Sequence, residues 1–127
     1  MKNKSFLAFD LGATSGRSIL GTLENGRLQM KELTRFPNQM LRIGKHFHWN
    51  IYSLFEHFKA ALAAVKEEGV EISSIGIDTW GVDFALIAKD GTILGAPYAY
   101  RDPHTQGMPE KFFEIVSRDK VYGLTGI

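Results

Sequence analysis

The sequence predicts a mixed α/β fold, in which three antiparallel strands open a sheet and one helix leads on to a parallel fourth strand. Three features carry that prediction. Asn25-Gly26 separates two β-type runs, 18–23 and 27–36, and is the strongest short-range hairpin signal a sequence offers. Between 51 and 65 apolar residues recur three and four apart, the period of a helix with one buried face. The run 70–79 then repeats the design of the opening run, bulky apolar residues closed by an acid. A helix joining two such strands implies a crossover to a parallel neighbour, right-handed by default.

Phe6-Leu7-Ala8-Phe9 is a short buried-strand signal that ends on Asp10. After it come Leu11, Gly12, Ala13, Thr14, Ser15, Gly16 and Arg17, then the second run. An isolated Gly/Ser/Thr stretch is most often only a tight turn. Here a carboxylate stands at the end of a buried strand, which is costly unless it is paired or holds a metal. The stretch therefore reads as a phosphate site on a β-hairpin, with small residues letting main-chain N–H groups converge on an anion. The better-known phosphate loops need a helix directly after their glycines, and one needs Gly-Lys-Ser/Thr. Neither condition is met.

In the third run, Leu28 and Met30 alternate with Gln29 and Lys31 as in a half-solvated strand paired with the second. Residues 37–49 lack clear periodicity and read as a loop or irregular strand, with His46 and His48 as solvated loop residues rather than metal ligands. Asn50 is the expected N-cap of a helix that buries Ile51, Leu54, Phe55, Phe58, Leu62 and Val65 and stops at Gly69. His57 and Lys59 fall on its other side. Asp78 ends the next strand. Asp90-Gly91 marks a hairpin with arms 84–88 and 92–100, closing Trp80, Gly81 and Asp83 toward Tyr100, Arg101 and Asp102. Acids, an arginine and an aromatic face suit a polyhydroxylated ligand. The plainer alternative is an Arg-Asp surface pair with Trp80 in the core. Beyond Pro103 and Pro109, residues 110–117 read as a short helix with Phe112, Phe113 and Val116 inward, and Asp119 as the cap of a last turn ending at Gly123.

At 127 residues, one core is expected. A net charge of +1 excludes nucleic-acid or membrane binding driven by bulk electrostatics, and the absence of cysteine excludes disulfides and thiolate metal sites, compatible with a cytoplasmic setting. Met1-Lys2-Asn3-Lys4 imitates the start of a signal peptide, but Asp10 cuts the following apolar run short.

With both acid-ended strands placed, the chain resembles the N-terminal part of the FGGY carbohydrate kinases, and among them the rhamnulokinases most. The resemblance rests on Phe9-Asp10-Leu11-Gly12-Ala13-Thr14-Ser15-Gly16-Arg17, on Ser74-Ile75-Gly76-Ile77-Asp78-Thr79-Trp80-Gly81-Val82-Asp83-Phe84 and on Tyr98-Ala99-Tyr100-Arg101-Asp102. The first segment is shared loosely by the actin-like superfamily; the second is the specific one. The resemblance implies an actin-like ATPase, ribonuclease H-like domain, of which residues 1–127 form an incomplete N-terminal portion. It also implies transfer of the γ-phosphoryl group of Mg-ATP to the 1-hydroxyl of L-rhamnulose, with a small-molecule sugar and ATP as partners. Ala13, Thr14, Ser15, Gly16 and Arg17 would bind ATP, and Asp10 would help hold Mg²⁺ through water. Gly81 would contact the ketose, a contact extended to Trp80, Asp83, Arg101 and Asp102. In that family the general base is an aspartate far downstream, so no catalytic residue is expected here and the chain alone is expected to be inactive. Three other readings stay open: a kinase for a related ketose or polyol, an actin-like ATP switch without a sugar, and a non-catalytic sugar-responsive module.

Overall fold

The computed structural model of the protein describes residues 4–127; the lysine-bearing start at residues 1–3 lies outside them. In chain order come β1 (Lys4–Leu11), β2 (Ser15–Glu24), β3 (Arg27–Pro37), β4 (Met40–Ile43), β5 (His46–Trp49), α1 (Ile51–Glu67) and β6 (Ile72–Thr79). The main sheet has the order β3-β2-β1-β6, antiparallel throughout except for the parallel β1/β6 pair. The Asn25-Gly26 turn forms with both residues at positive φ, and the crossover joins parallel strands as the helix between them requires.

Register explains the core. Leu7 opposes Leu20, Phe9 opposes Ser18 and Leu11 opposes Gly16, so the buried positions of both strands share one face. On that face α1 sets Ala61 and Val65 against Leu7 and Phe9, with Phe58 4.3 Å from Phe9 between ring centroids. The Asn50 side chain accepts from the Ser53 amide and Gly69 leaves the helix at φ +66°, as the caps in the sequence imply.

The helix contacts the sheet with a narrower stripe than its apolar positions suggest. Phe55 and Leu62 remain 60% and 42% exposed, whereas His57, expected on the far side, stacks on Phe36 at 4.0 Å. Lys31 binds Glu68 on the same flank. Both contacts draw α1 over β2 and β3, leaving Ile75 and Ile77 of β6 half-exposed on the face they share with Leu7 and Phe9.

Residues 38–49 are more regular than their sequence suggests. β4 and β5 pair as a hairpin with Ile43 opposite His46, leaving Gly44-Lys45 as a two-residue turn with Gly44 at φ +62°. The glycine at the first turn position is the local signal for this hairpin.

The Asp90-Gly91 turn forms too, but its arms are joined by a single bridge between Ile87 and Ile93. The second arm pairs instead with β5. Trp49 N–H donates to Pro97 O, Ala99 N–H donates to Phe47 O, and His48 bridges Tyr98.

A short 3₁₀ turn (Pro103–Thr105), α2 (Met108–Phe113) and α3 (Arg118–Thr125) follow. The single helix expected over 110–117 is thus displaced toward Pro109, which sits in the first turn of α2 where its missing N–H costs nothing. Phe112 is half-exposed there rather than inward. Ser117, not Asp119, caps α3, which passes through Gly123 and ends at Gly126 with φ +73°. No helix among the described residues is long and apolar enough to cross a membrane.

Candidate functional site

The turn between β1 and β2 consists of residues 12–14, closed by a 2.9 Å bond from Gly12 N–H to Ser15 O. Among the described residues the amides of Ala13 and Thr14 have no intramolecular acceptor, and Thr14 and Ser15 are exposed. Asn38, just after β3, braces the turn from outside: its side-chain N–H₂ donates to Gly12 O and its main-chain N–H to Thr14 O, each at 2.9 Å. It is buried. Gly16 has a packing reason for being glycine, since a Cβ there would run into the Phe36 ring.

Asp10 and Arg17 oppose each other across the hairpin, and the guanidinium grips Oδ2 through Nε (2.8 Å) and Nη2 (2.6 Å). Both side chains are close to half-exposed. Asp10 also lies in parallel register with Asp78, so two acids stand side by side at the carboxyl ends of neighbouring strands. The polypeptide leaves that one edge twice, once into the turn at 12–14 and once into Trp80-Gly81.

In the segment after β6, Val82 takes φ +70°, a conformation in which a β-branched residue is strained. Next to it Asp83 Oδ2 accepts from two indoles, Trp49 Nε1 and Trp80 Nε1, each at 2.6 Å. The two rings are 4.5 Å apart, and Tyr100 lies 6.2 Å from Trp49. Trp80, Asp83 and Tyr100 are therefore gathered, as the sequence suggests, but around Trp49 of β5. Arg101 and Asp102 form no pair: Arg101 lies over the Tyr100 ring at 5.3 Å, and Asp102 turns inward.

The Asp102 carboxylate is fully covered. It accepts from the Phe47 and His104 amides and bonds to Nδ1 of both His46 and His104. Burial pushes its pKa up, but the Phe47 amide, His46 and the His104 amide together outweigh burial and hold it at about 2. His46 is thus a partner of a buried acid, and His48 reaches Ala96 O; neither is the solvated loop residue the sequence suggested. A cleft of about 610 Å³ opens beside this cluster, lined by Val82, Asp83, Phe84, Tyr98, Tyr100 and His104 among others. Ala13, Thr14, Ser15, Gly16 and Arg17 do not line it, nor do Trp80, Gly81, Arg101 or Asp102.

Asn38, Trp49, His46 and His104 are the residues that sequence reasoning did not place here. Only the Gly44-Lys45 turn could have flagged two of them, His46 and Trp49, by marking β5 as a strand that another segment can join.

Residues 5–127 match the family model described as "FGGY family of carbohydrate kinases, N-terminal domain". The chain belongs to the FGGY family. It is 56% identical over 124 residues to the rhamnulokinase of Bacteroides thetaiotaomicron, covering 98% of this chain and 26% of that protein. The rhamnulokinase of Oceanobacillus iheyensis is 40% identical over 121 residues, covering 95% of this chain and 26% of the relative. The chain thus spans about a quarter of the length of these curated relatives. Among solved structures, a gluconate kinase from Lactobacillus acidophilus superposes with a TM-score of 0.80 at 12% identity, over 99% of this chain and 25% of that one. A xylulose kinase from the same organism gives 0.75 at 11%, over 94% and 24%. At such identities these superpositions establish the fold, the actin-like arrangement of FGGY sugar kinases, with helices packed on a mixed sheet.

Proposed function

We propose that this chain is the N-terminal portion of a cytoplasmic, ATP-dependent sugar kinase that phosphorylates L-rhamnulose at O1, and that the adenosine pocket and general base lie outside it. One observation carries the reading: a braced small-residue turn and a strained, carboxylate-bearing segment leave the same sheet edge from the paired positions of Asp10 and Asp78. The names of the curated relatives support rhamnulose as the acceptor.

In this reading the open amides of Ala13 and Thr14, with Thr14, Ser15, Gly16 and Arg17, hold the ATP phosphates. Arg17 meets them from its pairing with Asp10. The Asp10 and Asp78 carboxylates are oxygen donors of the kind Mg²⁺ takes, and Asp10 would help hold the ion through water. Bound there, the ion would neutralise charge on the transferring phosphoryl group. Gly81 meets the ketose through its backbone, and Asp83 accepts from a sugar hydroxyl; Trp80 and Arg101 complete the sugar side, while the covered Asp102 carboxylate serves it indirectly by tying Phe47 and His104 together. These groups position reactants and balance charge, which is most of what phosphoryl transfer requires of a protein.

The test is a coupled assay of ADP release by the full-length protein with L-rhamnulose, L-fuculose and L-xylulose. The expected result is the highest kcat/KM for L-rhamnulose and no turnover by residues 1–127 alone. ATP binding without phosphorylation of any sugar would favour an actin-like switch instead.

A further inference from the structure

Asp83 is held in a way that its role as a hydroxyl acceptor does not by itself explain. Two indole N–H groups converge on one oxygen, Oδ2, each at 2.6 Å, while Oδ1 has no protein partner among the described residues. The indoles come from different places. Trp80 is three residues away on the same strained turn, whereas Trp49 arrives from the end of β5, thirty-four positions earlier in the chain. Trp49 is 2% exposed, with its main-chain N–H bonded to Pro97 O and its ring packed against Trp80. Two rigid donors on one oxygen fix the carboxylate's rotation about its Cβ–Cγ bond, which a single donor does not. Asp83 lines the 610 Å³ cleft, and Val82, 86% exposed at positive φ, sets the backbone direction from which the carboxylate projects.

We propose that Trp49 is a positioning residue for the sugar site: with Trp80 it clamps Asp83 Oδ2 so that Oδ1 is presented to a hydroxyl of the acceptor. This rests on the kinase reading above and adds to it a residue thirty-two positions before Gly81. An acceptor held in advance strengthens sugar binding without touching the nucleotide. The clamp also ties the arm 92–100 to the turn at 80–83, since Trp49 bonds Pro97 with its main chain and Asp83 with its side chain.

The experiment is steady-state kinetics on the full-length enzyme and its Trp49→Phe, Asp83→Ala and doubly substituted variants, with thermal midpoints alongside. Loss of one hydrogen bond to a charged group predicts a rise of about tenfold or more in KM for the sugar. KM for ATP is expected to be unchanged. In the Asp83→Ala background, Trp49→Phe is expected to add nothing, because the interaction it removes is already gone. An unchanged sugar KM in Trp49→Phe overturns the proposal, and so does a loss that falls equally on sugar and ATP or adds fully to that of Asp83→Ala, the pattern of a purely structural residue. If Trp49→Phe does not fold, Trp80→Phe removes the other donor, and because Trp80 also stands on the sugar side it is judged by whether its rise in sugar KM disappears in the Asp83→Ala background; a rise that persists there overturns the clamp. A wild-type enzyme that phosphorylates no ketose overturns the kinase reading and this proposal together; an active wild type with an unaffected Trp49→Phe overturns this proposal alone.

Discussion

Residues 4–79 and residues 80–107 reach their shapes by different means. In the first stretch main-chain ladders run the length of four strands and one helix covers the apolar face around Leu7 and Phe9. In the second, main-chain pairing shrinks to isolated bridges, and three carboxylates take over. Asp83 gathers two indoles, Asp90 receives the Thr92 amide, and Asp102 receives two amides and two imidazoles. A ladder is fixed by local alternation, whereas a buried acid must find donors wherever the tertiary fold supplies them. The second stretch carries the cleft and the strained Val82. Positions held by a few charged contacts suit ligand recognition better than a uniform sheet.

That contrast can be broken or sharpened by substitution. Leu7→Ala, in the ladder half, removes a side chain 1% exposed and should cost roughly 2–5 kcal/mol in urea unfolding. Ile77→Ala on the same face should cost under about 1 kcal/mol, because α1 leaves it uncovered. Equal losses would mean that the helix covers β6 after all.

The Asp102 cluster comes next, and its signature is pH. With a folded pKa of about 2, below its ordinary 3.8, Asp102 contributes stability that is present above about pH 4 and lost as pH falls toward 2. Glu32, lowered by its bond to Arg35, and Asp90, lowered by Thr92, titrate in the same direction. Comparing the acid limb of the thermal midpoint in wild type and Asp102→Asn therefore isolates the Asp102 share. The variant is expected to start lower at neutral pH and to fall less steeply, and parallel curves would show that the carboxylate is not held by these donors.

Asn38→Ala should cost about 1–2 kcal/mol and speed amide exchange in residues 12–15, loosening the turn while leaving the sheet protected. A comparably small effect, about 1 kcal/mol, is expected for Gly44→Ala, where a Cβ meets nothing within 4 Å and only the positive φ opposes it. A much larger loss would show that the β4/β5 hairpin anchors more of residues 80–107 than its bonds to residues 97 and 99 imply.

The amino-acid order by itself determined the sheet and its direction: Asn25-Gly26, the stripe from Leu54 to Val65 and the two acid-ended runs are local signals, each decided by neighbours a few residues apart. It also marked Asp10, Asp78 and Asp83, because an acid beside an apolar run stands out without any knowledge of the fold. Which flank of α1 would be covered was decided only when His57 met Phe36 and Lys31 met Glu68 across the sheet. The partners of the acids were settled the same way. Asp83 found Trp49, and Asp102 found His46 instead of its neighbour Arg101. No spacing encodes such meetings, since they join residues tens of positions apart through the path the chain takes in space.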